Sequence, residues 1–434
     1  MELALLYAVP VWYEAVYNIH IRKQFLSIHR RFVIQICRSY RTAPTSALLV
    51  LADITPIHIQ AKTTAWFWSV IRGQFPWLDE TRYYNRINEK ATKSMTNITN
   101  DAKNYGLNGI NTNKTVLNHP HIESNYTVIM DEDNHIKAEW NIYTDGSKST
   151  EGAGAGVVIM DSNDKTRYQA YLKMAAHCTN VQAELWALFK AITHINDNCH
   201  KYKGNICIHT DSRSALNILN NNKDYTGLSA DLITEANNLG KNKKLYFKWV
   251  RAHQGHAGNE QADNLAKKAC TLSENPSYEK LPHSWVKTQL ANVALQDWQS
   301  EWDNDDTGRK TYAYIPSIAH RRKASHYTPN AETTQILTGH GNFAAYLFQF
   351  GKADNNTCDC DNVSESTVEH FLYDCAKYDD KRLHFMGKCL AEGQNWPPKP
   401  SEVFSNSKLW RSLSDYVHNT AALNASSFSN NNPS

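Results

Sequence analysis

WNIYTDGSKSTEGAGAGVVIMDSNDKTRYQAYLKM, residues 140–174, decides the fold of the middle of this chain. Residues 140–146 alternate apolar and polar side chains, as a strand covered on one face does, and end in an Asp-Gly turn signal. Gly152, Gly154 and Gly156 lead into the apolar run VVIM at 157–160. A short Asp-Ser-Asn-Asp turn separates that run from a third strand-like stretch, RYQAYLKM at 167–174. Turns this short join antiparallel neighbours.

The period changes downstream. In NVQAELWALFKAITHIND, 180–197, Val181, Leu185, Leu188, Ile192 and Ile195 recur at helical spacing. Asn180, or Thr179 just before it, caps the start. NICIHTD at 205–211 reads as a strand ending in Asp211, and LYFKWV at 245–250 as another. Helices are expected at 212–220 and 228–239, and a last one containing Asp263 follows the glycine-bearing loop RAHQGHAG. Three hairpin-joined strands followed by strand–helix alternation imply an α/β fold, a mixed five-stranded sheet flanked by helices.

The acids within this block stand out as a set. Asp145 and Asp211 fall at strand ends, Glu184 about one turn into a helix, and Asp263 in the last helix. A single carboxylate near a helix start is adequately explained by the helix dipole. Four carboxylates from four elements are not one solvated face. If the strands of Asp145 and Asp211 are neighbours, their charges converge and repel unless cations lie between them. Hard divalent ions such as Mg2+ take oxygen ligands of this kind. Two such ions, about 3.5–4 Å apart, serve phosphodiester hydrolysis without a protein nucleophile.

YTDGS (143–147), TNVQAEL (179–185), HTDS (209–212) and WVRAHQGHAGNEQAD (249–263), in this order and spacing, resemble the type 1 ribonuclease H family. The resemblance implies a ribonuclease H-like fold and hydrolysis of the RNA strand of an RNA–DNA hybrid. It implies that Asp145 bridges two Mg2+ ions (Mn2+ being the alternative), that Glu184 and Asp211 hold the first, and that Asp263 helps with the second. His253 would shuttle a proton or aid product release. Ser147, Asn180 and Gln182 fall where the family touches the hybrid's sugars and phosphates. One departure concerns substrate binding: between Asp211 and the last strand there is no basic, tryptophan-rich extension, only Lys241, Lys243 and Lys244.

The flanks add context. SYRTAPTSALLVLADITPI (39–57), LTGHGNFAAYLFQFG (337–351), CDC (358–360) and VEHFLYDC (368–375) resemble the later parts of non-LTR, LINE-like retrotransposon reverse transcriptase polyproteins of the insect type. A reverse transcriptase of the same element is thereby implied as a partner. The polymerase motif Tyr-x-Asp-Asp does not occur, and Tyr378-Asp379-Asp380 has the wrong spacing, so a fragment or remnant without polymerase activity is expected.

The 434 residues allow two or three domains, and a net charge of +3 requires any basic surface to be local. Residues 1–75 are expected to be helical, with a basic set from Arg22 to Arg38; 80–137 to be a polar, partly disordered linker; and 138–272 to be the ribonuclease H domain. A helix is expected at 284–302, a small C-terminal domain at 312–417 and a disordered tail at 424–434. The apolar start carries Glu2 and Pro10 and suits neither a secretory signal nor a membrane span, so no membrane partner is expected. Nine cysteines without an export signal favour a reducing, intracellular compartment, with nucleus and cytoplasm both open. Cys358, Cys360, His370 and Cys375 form a set suited to Zn2+, with Cys389 as a substitute ligand; the alternative is a small core with incidental thiols.

Two functions of different class remain from this reading. One is an active hybrid nuclease. The other is a catalytically silent nucleic-acid-binding remnant, which would bind with strong salt dependence and cut nothing. A transposase or integrase of related fold fits the TDGS, AEL and NEQAD contexts less well.

Overall fold

The alternation at 140–174 becomes three consecutive antiparallel strands in the computed structural model, which describes residues 5–72, 110–114, 124–131, 134, 136–220, 225–252 and 254–423. The chain divides into two compact units, Trp66–Leu290 and a discontinuous one made of Met1–Ala65 with Ala291–Ser434.

The first unit contains a mixed sheet of six strands. They are β1 (Thr127–Ile129), β2 (Trp140–Lys148), β3 (Ala153–Asp161), β4 (Thr166–Met174), β5 (Ile206–Thr210) and β6 (Leu245–Trp249), in the spatial order β1-β6-β5-β2-β3-β4. The hairpins β2–β3 and β3–β4 are antiparallel, whereas β2–β5, β5–β6 and β1–β6 are parallel. Helices α1 (Asn180–Asp197), α2 (Arg213–Asn220) and α3 (Gly227–Gly240) lie in the crossover connections, and α4 (Ala257–Cys270) follows the last strand and packs on β2 and β3. The main core joins Ile142, Val157 and Ile159 of the sheet to Leu188 and Ile192 of α1, with Ile208 and Phe247 from the parallel strands. Each such side chain, fully buried, contributes about 1.5–3 kcal/mol.

Two features depart from the sequence reading. The sheet has a sixth strand, and β1 lies inside the expected linker; so does Asn113–Lys114, which pairs in a short antiparallel ladder with Tyr225–Thr226. Tertiary contacts hold β1, not local pattern: the Tyr126 ring meets Phe247 at 5.3 Å and its hydroxyl donates to the Leu219 carbonyl at 2.9 Å. The rest of the expected linker falls mostly outside the described residues, as does the tail at 424–434. The second departure is at Asp145-Gly146, which is not a turn. Strand β2 runs on to Lys148, and the reversal comes at 149–152.

In the discontinuous unit the N-terminal segment is helical, with helices at Ile19–Cys37, Thr45–Ala52 and Ile57–Ile71, the last running past Ala65. Asn18 caps the first of these by accepting from the His20 and Ile21 amides. Val33, Leu48 and Leu51 share one core with Trp298, Trp302, Phe385 and Trp410. The segments expected as separate domains at 1–75 and 312–417 therefore contribute to one core. No helix among the described residues is long and apolar enough to cross a membrane.

Candidate metal centre

Parallel pairing sets the first two acids side by side. Tyr143 of β2 is opposite His209 of β5, so two residues further on Asp145 lies beside Asp211, the residue that follows β5. The parallel partner ends there while β2 continues, which leaves Asp145 paired on one side only, with Gly156 of β3. Glu184 arrives from α1, whose start is fixed by a capping box between Thr179 and Gln182. The approach of α1 to β2 needs Gly146: a Cβ there would lie 2.4 Å from the Glu184 amide nitrogen. Helix α4 comes equally close to β3, where a Cβ on Gly156 would lie 2.1 Å from the Ala262 carbonyl oxygen, and this contact delivers Asp263.

Ligand oxygens of Asp145, Glu184 and Asp211 lie within 4.8 Å of one another. Asp145 and Glu184 are buried, and Asp211 is half-buried. Burial, then the charges of Asp211 and Asp263, pushes Asp145 up to about 7. Burial, then Asp145 and Asp211, raises Glu184 well above the ordinary carboxylate range. The Glu184 Oε2 atom is buried without a hydrogen-bond partner. A buried carboxylate oxygen lacking a partner is costly unless a cation meets it. An all-oxygen, mutually repelling donor set fits a hard divalent ion, Mg2+ or Mn2+. Asp263 is outside the 4.8 Å triad yet close enough to raise Asp145, and its Oδ2 accepts from the Lys267 ammonium at 2.7 Å.

The remaining expected residues have different fates. His253 lies outside the described residues. Ser147, two positions beyond Asp145 on the same strand, is half-buried on the same face. Asn180 is exposed at the first position of α1. Gln182 is buried, and its amide is already used: Oε1 accepts from the Thr179 amide at 3.0 Å and Nε2 donates to the Lys280 carbonyl at 3.0 Å. Its visible role is to cap and tie α1, not to face a ligand. The sequence reading passed over Arg213 and Trp249. The Trp249 indole donates to the Asp211 carbonyl at 3.1 Å, and the exposed Arg213 guanidinium lies over the indole ring at 4.1 Å. Their nearness to the HTDS and WV segments was the available signal.

A second candidate metal site sits in the discontinuous unit. Ligand atoms of Cys358, Cys360, His370 and Cys375 fall within 4.8 Å of one another, with Cys358 Sγ 3.7 Å from Cys375 Sγ and Cys360 Sγ 3.3 Å from His370 Nε2. A π-helical turn at His370–Asp374 brings the histidine and Cys375 to one place, with the Cys375 amide donating to the His370 carbonyl at 2.7 Å. The chain around Cys358 folds back tightly, the Asn362 amide donating to the Cys358 carbonyl at 2.8 Å and Asn362 in the left-handed region. Cys389, the expected substitute, is fully buried in the hydrophobic core and outside the ligand set. Three thiols and an imidazole converging this closely are donors of the kind that suit a structural Zn2+ ion.

Known proteins resemble the sheet-containing unit. A family model described as RNase H matches residues 137–271. Ribonuclease H of Campylobacter jejuni is 31% identical over 151 residues, covering 32% of this chain and 96% of that protein. A 115 kDa protein of the type-1 retrotransposable element R1DM of Drosophila melanogaster is 34% identical over 117 residues, covering 26% of this chain. The retrovirus-related Pol polyprotein of type-1 retrotransposable element R1 from Bradysia coprophila is 32% identical over 114 residues. The chain spans 11% of the length of each of these two element proteins.

Proposed function

We propose that this chain, which belongs to the ribonuclease H family, hydrolyses the RNA strand of RNA–DNA hybrids by two-metal-ion catalysis as part of a retrotransposon-derived protein. The observation that carries the reading is the triad of Asp145, Glu184 and Asp211 within 4.8 Å, held there at an electrostatic cost. Asp145 would touch both ions, a reading supported by its closeness to Glu184 and Asp211 and by the effect of the Asp263 charge on it. Glu184 and Asp211 would complete the first position and Asp263 the second. When bound, the pair of ions would supply an activated water and stabilise the leaving oxygen. The chain's own part is to fix these carboxylates on packed elements, so that little reorganisation is needed when charge develops. His253 would move the proton, in the role its place in the family motif implies.

Ser147 and Asn180 would take sugar or phosphate oxygens of the hybrid beside the triad. Arg213 joins them in this reading, since its stack on Trp249 holds an exposed cation two residues beyond Asp211. Selection of RNA would rest on recognition of the 2′-hydroxyl, the group that distinguishes it from DNA. The Cys358, Cys360, His370 and Cys375 set would hold Zn2+ and staple a small module that grips nucleic acid. A reverse transcriptase of the same element is the implied partner.

The test is cleavage of a labelled RNA–DNA hybrid in Mg2+ by the full chain beside its Asp145→Asn variant. RNA-strand cutting by the parent alone is expected. No cutting by a folded parent that still binds hybrid would refute the nuclease and leave the silent binding remnant.

A further inference from the structure

Asp263, the acid outside the triad, has a lysine cation on it. Lys267 follows Asp263 by one turn of α4, on the same face of the helix. Its ammonium is 2.7 Å from Asp263 Oδ2, and its side chain remains 59% exposed against 21% for the aspartate. The adjacent Lys268 points elsewhere, its ammonium lying 4.8 Å from the centre of the Tyr171 ring. Of two consecutive lysines, one is thus turned toward the metal centre and one away from it.

A partly exposed aspartate–lysine pair one turn apart on a helix is worth little for stability. Its position gives it another consequence. A lysine ammonium and a divalent ion compete for the same carboxylate oxygen, and they repel each other when both are near it. Lysine is suited to give way, being a compact charge on a flexible four-carbon stem. We infer that Lys267 is a positioning residue that latches Asp263, so that the ion held by Asp263 binds weakly, after Lys267 has swung off.

The inference rests on the two-ion reading above. The latch involves no bond-making, only exchange of one cation for another on Asp263.

The experiment counts Mn2+ bound to the full chain by the EPR signal of the free ion, in the presence of an uncleavable 2′-O-methyl RNA–DNA hybrid. The parent, Lys267→Gln and Lys267→Arg are compared. The parent is expected to bind one ion tightly and a second more weakly. Lys267→Gln should tighten the second ion by about 3- to 10-fold and leave the first within about twofold, since Asp263 loses a directly bonded competitor while Asp145 loses only the smallest of the influences on it. Lys267→Arg, which keeps the charge, should resemble the parent. A merely structural lysine would not separate the two affinities in this way. Two ions in the parent, with the weak one unchanged in Lys267→Gln, would overturn the latch while sparing the nuclease reading. A parent that binds no ion and cuts no hybrid would overturn both.

Discussion

Asp145 holds its place against its own charge. Its carboxyl is pushed up to about 7, chiefly by burial and then by Asp211 and Asp263. A carboxylate raised in the folded state keeps its proton there while the unfolded chain has lost it. The associated stability is present below the unfolded value near 3.8 and is lost as pH rises through about 7. The metal-free chain should therefore melt at a lower temperature at pH 8 than at pH 5. Asp145→Asn removes the repulsion at pH 8 and should stabilise the metal-free protein by about 1–3 kcal/mol there, while reducing cleavage by about a thousandfold or more. Thermal melts of the two proteins at both pH values check this, since only the difference between them isolates Asp145. An equal pH dependence in parent and variant would mean that the repulsion lies elsewhere. Arg213 gives a second prediction at this scale. If its guanidinium meets a phosphate, Arg213→Ala should weaken hybrid binding and lower the slope of log affinity against log salt by about one, with cleavage chemistry at saturating hybrid little changed.

Elements bring these residues together through contacts that exclude a side chain. Gly146→Ala would place a methyl group 2.4 Å from the Glu184 amide, so α1 must move off β2. Overpacking of this sort costs about 1–3 kcal/mol. The larger effect should be on the triad: Gly146→Ala is expected to lose tight Mn2+ binding while remaining folded. Gly156→Ala, which meets α4 at Ala262, should instead weaken the second ion through Asp263. Mn2+ titration of both variants distinguishes the two helices. Much of this was legible in the sequence because period and chemistry agreed. The alternation at 140–146, the apolar run at 157–160 and the helical spacing from Val181 to Ile195 each specify an element, and the acids then fall on separate elements. The rest was hidden where tertiary contacts decide. Strand β1 has three residues among polar neighbours and depends on Tyr126 packing against Phe247. Asp145-Gly146 reads locally as a turn, yet the glycine serves helix approach within a continuing strand. Gln182, set against the hybrid only by family resemblance, is engaged in a capping box and in a bond to the Lys280 carbonyl, which spacing alone does not reveal.

At the scale of the whole molecule, the chain order does not match the order of folding units. Val33, Leu48 and Leu51 lie in the same core as Trp298, Trp302 and Phe404, so residues 291–434 alone lack part of their interior. Expressed alone, that segment should be aggregated or poorly ordered, and co-expression with residues 1–65 should restore a dispersed NMR spectrum. The cysteine–histidine set belongs to this unit. Cys375 is fully buried, and between it and His370 lie Phe371 and Leu372, both in the core, with the Tyr416 hydroxyl donating to the Phe371 carbonyl at 2.6 Å. An ion on the four ligands would tie the loop carrying Cys358 and Cys360 directly to that core. Because ligands that converge in the folded state are dispersed in the unfolded one, the free energy of binding becomes free energy of folding. Two cores imply two separable responses to a zinc chelator. The chelated chain should lose several kcal/mol in the discontinuous unit, about as much as Cys375→Ser does. After removal of the chelator, readdition of Mg2+ alone should still support hybrid cleavage, because the carboxylate centre and its sheet have a core of their own. Calorimetry with and without Zn2+, beside a cleavage assay on the same sample, measures both halves. An unchanged melting profile after complete chelation, with no zinc in the purified protein, would reduce the cluster to a thiol-rich corner of the core.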